Sequence, residues 1–200
     1  MNPRVSKALL TTHISFSVGW IGTVSAFLAL AIVGLMGDGL MVRSCYTAME
    51  VIAWFVIIPF CFASFLTGVI QAAGTHWGLF KHYWIFVKLV LTLIATAVLL
   101  VHMRPISYLG EVAAAKDLGY FDLRDLRIQL VADAGAAIFV LLVITTVSVY
   151  KPWGRVHFGI SLPLFKATTK KPFGVYLLVG FIVVLILFVV LHLLTGGLHH

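Results

Sequence analysis

Four residues open the chemical reading of this chain: His13 and Trp20 in THISFSVGWIG, and Trp84 and Lys88 in HYWIFVKLVL. His13 and Trp20 are seven apart and share a helix face, and Trp84 and Lys88 are four apart and do the same. Imidazole is the commonest nitrogen ligand for a transition metal. Lys88 lies about 9 Å along its helix from His82. That is deep in an apolar run, where a charge costs several kcal/mol. One reading is a lysine that snorkels back to the surface. The other is a partner for a buried anionic group such as a propionate. For His13 the plain alternative is an interfacial histidine.

Further along the helix that carries Lys88, the residues Trp84, Lys88, Thr92, Ala95 and His102 form one polar or small stripe among Val, Leu and Ile. The shared direction predicts that this stripe faces inward. His102 and His192 are expected at a similar outer depth. They suit bis-histidine ligation of haem iron, or a copper site with Met103, against the simpler reading of two interfacial histidines. Glu50, Asp133 and Arg104, with Arg127, are expected to close the outer end as an ion-pair network. Glu50 and Asp133 are also the candidates for a proton or quinone site, because intramembrane acids are functional candidates by default. Met36, Met41, Cys45 and Met49 offer soft ligands for Cu(I), at irregular spacing. His76, His82 and His157 are expected on the inner side, where one of them can stand opposite His13. His199 and His200 close the sequence in the manner of a purification tag and are given no role. No CxxCH, P-loop, GxSxG or HExxH motif is present.

The elements that must position these residues follow from composition. The chain has 200 residues, 62% hydrophobic and 10% charged, with mean hydropathy +1.09. Soluble domains are about 45–50% apolar and about 25% charged. An all-α integral membrane bundle is predicted, as a single transmembrane domain over 1–200. It has five transmembrane helices, a four-helix core plus a fifth, at about 8–36, 46–73, 82–103, 127–149 and 174–195. Residues 104–126 are expected as an outer loop with a short amphipathic helix. Residues 150–173, where Trp153, Phe158, Leu162 and Phe165 interleave with lysines, are expected as an inner interfacial segment. Pro59 is expected to kink the second helix. In the first helix, Ser15–Gly19 and Gly22–Ala26 are small-xxx-small pairs that predict close helix contact. Arg4 and Lys7 precede an apolar run too long for the core of a signal peptide, so the segment is expected to remain as a helix.

Charge sets the expected orientation. An inner N-terminus puts Arg4, Lys7, Lys81, Lys151, Arg155, Lys166, Lys170 and Lys171 inside, against Arg43, Arg104, Lys116, Arg124 and Arg127 outside. N-in and C-out is therefore predicted. The net charge of +7 then reflects membrane topology and not nucleic-acid binding. Cys45 and Cys61 are more than four helical turns apart on one predicted helix, beyond disulfide reach.

The H-x6-W pattern of His13 and Trp20, together with the W-x3-K pattern of Trp84 and Lys88, resembles the superfamily of small bacterial membrane proteins around the HemJ-type protoporphyrinogen oxidases and the CopD-type copper-resistance membrane domain. Uncharacterised integral membrane families are similar too. The resemblance spans the first four predicted helices. It implies a b-type haem (haem b) near His13 and Lys88, toward the inner side of a bacterial inner membrane. The family's arginine and second histidine after the first helix have no counterpart in AFLALAIVGLMGDG, so the likeness carries haem binding further than porphyrinogen oxidation. The expected function is therefore a haem-binding membrane protein in redox chemistry or electron transfer, with a quinol or a porphyrin as the small-molecule partner. The expected partners are the lipid bilayer, a quinone or a redox protein, and a second copy of the chain. Copper or proton-coupled transport, and an accessory role in a membrane complex, are the alternatives from other classes.

Overall fold

The structure, a computed structural model, describes residues 2–74, 83–115 and 123–150. The expected fifth helix, the interfacial segment 150–173 with Trp153, and His76, His82, His157 and His192 lie outside the described residues. The described chain is all helical: α1 Pro3–Met36, α2 Gly39–Ile52, a π-turn Ala53–Ile57, α3 Ile58–Gly74, α4 Tyr83–Ala115 and α5 Arg124–Tyr150. Through the π-turn, α2 and α3 form one rod. Four helices are thus long and apolar enough to cross a membrane: Pro3–Met36, Gly39–Gly74, Trp84–Ala115 and Arg124–Tyr150. Their large outward side chains include Val18, Leu40, Phe55, Leu66, Phe139 and Leu142, an apolar exterior compatible with contact to lipid.

Two boundaries and one turn differ from the sequence expectation, each for a local reason. The second helix starts at Gly39, directly after the extended Gly37 and Asp38, so Glu50 sits within it and not at its start. Pro59 has no N–H to give the Phe55 carbonyl, and its ring crowds that carbonyl. The chain absorbs this one turn earlier, where Ile58 N–H reaches Ala53 O across the π-turn. That wider turn also keeps Ala53, Ile57 and Cys61 buried at steps of four. In a straight α-helix such steps drift by about 40° each. Finally, α4 continues through Pro105 to Ala115, because Ile106, Leu109 and Ala113 go on burying one face. The expected loop thus begins as helix.

The core stripe of α1 is Trp20, Val24, Phe27 and Ala31, at steps of four, three and four. It meets Tyr46, Met49, Ala53 and Ile57 of the second rod, and Leu130, Ala134 and Leu141 of α5. Of the two small-residue pairs in α1, Gly19 packs closely, since a Cβ there would come within 2.6 Å of the Phe60 ring. Gly22 and Ala26 are exposed, and among the described residues that pair makes no close helix contact.

The tightest polar junction is Arg127, which is 0% exposed. Its Nε donates to the Tyr46 hydroxyl at 3.0 Å, its guanidinium lies 5.4 Å from the Tyr46 ring centroid, and one of its terminal nitrogens donates to the Gly34 carbonyl. That carbonyl belongs to the last turn of α1, where no further helical N–H arrives and the helix dipole is negative. One α5 side chain therefore caps α1 and pins α2. Gly34 makes room for the contact, as a Cβ there would come 2.9 Å from Tyr46 Cζ. Arg127→Met leaves a buried carbonyl and a buried hydroxyl without their donor. It is expected to lower stability by about 2–4 kcal/mol in unfolding from detergent, with Tyr46→Phe costing about 1 kcal/mol.

Candidate functional site

The middle of α4, from Thr92 to Leu99, is not fully buried at any position, and two cavities flank it. The larger is about 600 Å³ and is lined by His13, Trp20, Trp84 and Lys88 together, with Ser64, Gly68, Thr92 and Ser148. The smaller is about 360 Å³, and its polar residues are His102 and Asp133. Trp20 and Leu141 line both and so form the partition between them. The expected stripe of α4 thus divides: Trp84, Lys88 and Thr92 line the larger cavity, while Ala95 and His102 line the smaller.

His13 is held from α3. Its Nδ1 lies 3.0 Å from the Ser64 carbonyl and 3.1 Å from Thr67 Oγ1. A carbonyl only accepts, so Nδ1 carries the proton and donates it. Thr67 spends its own proton on the Ala63 carbonyl at 2.6 Å, which leaves its oxygen able to accept as well. The neutral tautomer thereby has its lone pair on Nε2. Holding Nδ1–H on a backbone carbonyl while Nε2 stays available is the usual way a protein orients a metal-ligating histidine. Ser17 donates to the His13 carbonyl at 2.8 Å and accepts from the Ser64 hydroxyl at 2.8 Å, which ties the same turn to α3 again. Gly68 leaves the space the ring occupies: a Cβ there would come 2.9 Å from His13 Cε1.

Lys88 does not stretch along an outer face. Its Nζ donates to Ser148 Oγ of α5 at 2.8 Å and lies 5.8 Å from the Trp84 ring centroid. Ammonium, indole and hydroxyl therefore stand on one wall of the cavity and the imidazole on another. The electrostatic character is a cation on one wall and a neutral imidazole on another.

At the smaller cavity, His102 Nδ1–H donates to the Val98 carbonyl one turn back at 2.7 Å, and Nε2 lies 3.0 Å from Asp133 Oδ2. With Nδ1 already donating, a proton on Nε2 pairs the imidazole with the carboxylate and makes the dyad neutral overall. In this arrangement neither ring nitrogen of His102 presents a free lone pair, which argues against the expected ligation of iron or copper through it. Met103 is in the core.

The other candidates do not converge. Glu50 packs on Gly110 of α4, where a Cβ would collide with its carboxylate, and Arg104 is exposed. Met36 and Met41 are exposed, whereas Cys45 and Met49 are buried. Both cysteines are free; the Cys61 thiol reaches Thr96 Oγ1 at 3.2 Å. Among the described residues, no group of three or more His, Cys, Asp or Glu side chains converges as for a metal ion.

Thr67 and Ser148 are partners that sequence reasoning does not single out. Ser148 is signalled only as a lone hydroxyl in ITTVSVY, and the Ser64 carbonyl carries no sequence signal at all. The dyad is open to a double-mutant cycle by denaturant unfolding. Asp133→Leu should cost about 1–3 kcal/mol, since it leaves His102 Nε2 unsatisfied. His102→Leu with Asp133→Leu should cost less than the sum of the single changes.

Comparison with protein-family models, with curated proteins and with solved structures gives no match to this chain.

Proposed function

We propose that this chain is a b-type haem protein of the membrane, acting in redox chemistry or electron transfer, in which the larger cavity would hold the haem and His13 Nε2 would ligate it. The observation that carries this reading is the His13 tautomer: Nδ1–H is committed to the Ser64 carbonyl, so the lone pair of Nε2 is available at a cavity of about 600 Å³. That volume falls within the roughly 300–1,000 Å³ of small-molecule and cofactor sites. Haem supplies four nitrogen ligands of its own, so one or two protein donors suffice and no cluster of acids and thiols is needed. Trp20 and Trp84 offer flat apolar walls. Lys88, already steadied by Ser148, is the residue suited to a propionate. When bound, the haem would supply one-electron chemistry; the chain's own part is to ligate, exclude water and balance charge. The H-x6-W and W-x3-K resemblance points the same way.

The finer topology belongs to the same reading. Five transmembrane helices with the N-terminus inside follow the distribution of lysine and arginine. On this topology His13 and Lys88 lie nearer the inner surface, in a bacterial inner membrane.

The test is spectroscopic. Full-length protein purified from cells supplied with haem precursor should show a Soret band, and α and β bands on reduction. A colourless preparation sinks the proposal, as does one that retains copper instead. His13→Ala should lower retained haem at least about tenfold, equivalent to about 1.4 kcal/mol of binding free energy. Gly68→Val should act in the same direction by pushing the imidazole aside. Lys88→Met should weaken retention while leaving the axial-ligand bands in place.

A further inference from the structure

The smaller cavity has a chemistry unlike that of the larger one, and it lies on the other side of Trp20. Its walls are apolar side chains of α1, α4 and α5, with Trp20 and Phe27 as aromatic faces. Into this one lining His102 and Asp133 bring a neutral, proton-sharing dyad, with side chains 9% and 14% exposed. Ala97 and Val101 of α4 line the cavity and are also exposed on the outside of the bundle, so its mouth opens beside α4 onto the apolar exterior. Small residues of α5, Ala136 and Ala137, line it as well.

We infer that this cavity binds the ring of a lipid-soluble quinol, whose hydroxyl donates to the Asp133 carboxylate beside His102. Four features carry the inference. A mouth on the apolar exterior admits a ligand that partitions into hydrocarbon. One dyad in an otherwise apolar lining fits a head with polar atoms at the ring edge and an apolar body. A carboxylate has about four lone-pair sites, so Asp133 can hold His102 and accept a ligand O–H together. The lining is otherwise apolar, so bringing in a fatty-acid carboxylate costs a desolvation that a neutral hydroxyl does not, and the cavity favours the hydroxyl. The size is suitable as well. An apolar protein cavity of about 150 Å³ takes a benzene ring. The volume here, about 360 Å³, leaves room for ring substituents and the start of a tail. Trp20 then stands between this ring and the larger cavity. Binding of the quinol does not depend on haem in that larger cavity, so the two proposals can fail separately.

The experiment uses the full-length protein in lipid nanodiscs. A benzoquinol with a ten-carbon tail is titrated by calorimetry, and an azido-quinone of the same tail is photolysed and mapped by peptide mass spectrometry. Saturable binding is expected, with label on the α4 and α5 segments that line the cavity. Asp133→Asn should weaken binding about tenfold, the loss expected for a hydrogen bond to a charged acceptor. Ala97→Phe, which fills the mouth beside α4, should abolish binding and leave the unfolding transition in place; Ala136→Phe, which fills the cavity from α5, serves if Ala97→Phe does not fold. Non-saturable uptake that all variants share overturns the inference. So does label spread over the outer faces of all four helices, or a ten-carbon fatty acid that competes as well as the quinol does.

Discussion

In an apolar bundle a buried polar side chain needs a partner, and α5 supplies partners to each of the other long helices it meets. Arg127 holds the end of α1 and the Tyr46 ring, Asp133 holds His102, and Ser148 holds Lys88. Asp133 and Ser148 are about four helical turns apart and within about 60° of one direction, so both face α4. Arg127 lies six residues before Asp133 and about 120° away, which turns it toward α1 and α2. The three contacts fix both the height and the rotation of α5. A wholly apolar helix has no such register, because one Leu or Val contact is much like the next.

The register explains why two cavities exist at separate heights. α4 is pinned to α5 at Lys88 and at His102. Between these points it carries Thr92, Ala95, Ala97 and Val98, which do not fill the space toward α1. On the α5 side the facing residues are Ala134, Ala136 and Ala137. Trp20 enters this column from α1 and divides it. Each compartment therefore receives one of the two pins: a cation in the larger, a neutral dyad in the smaller.

Much of this was legible in the sequence, and the illegible part has a common cause. The four long helices follow from the length of apolar runs, and the His13–Trp20 and Trp84–Lys88 spacings place those four residues on inward faces. What spacing within one helix does not give is which residue of another helix stands opposite. The Ser64 carbonyl that sets the His13 tautomer is a backbone atom and leaves no side-chain trace. The Asp133 partner of His102 comes from α5, whereas depth along the helices paired His102 with His192. The loop expected from 104 also shows the limit of local signals. Arg104 and Pro105 read as a helix end, yet Ile106, Leu109 and Ala113 bury one face and carry the helix on.

The contrast between the two histidines bears on which one can act on a metal. Both spend Nδ1–H on a backbone carbonyl, His13 on Ser64 of another helix and His102 on Val98 of its own. The difference lies at Nε2. For His102 that nitrogen meets a carboxylate at 3.0 Å. For His13 the charged group lining the same cavity is the Lys88 ammonium, which has no lone pair to offer and cannot claim the nitrogen's proton site as an aspartate does. One residue type thus acquires two chemistries from one neighbour each. Gly68 admits the His13 ring edge against α3, and Asp133 takes the far nitrogen of His102. An acid opposite His13 would give the first imidazole the pairing of the second, so the difference between the two rests on which charged side chain shares each cavity.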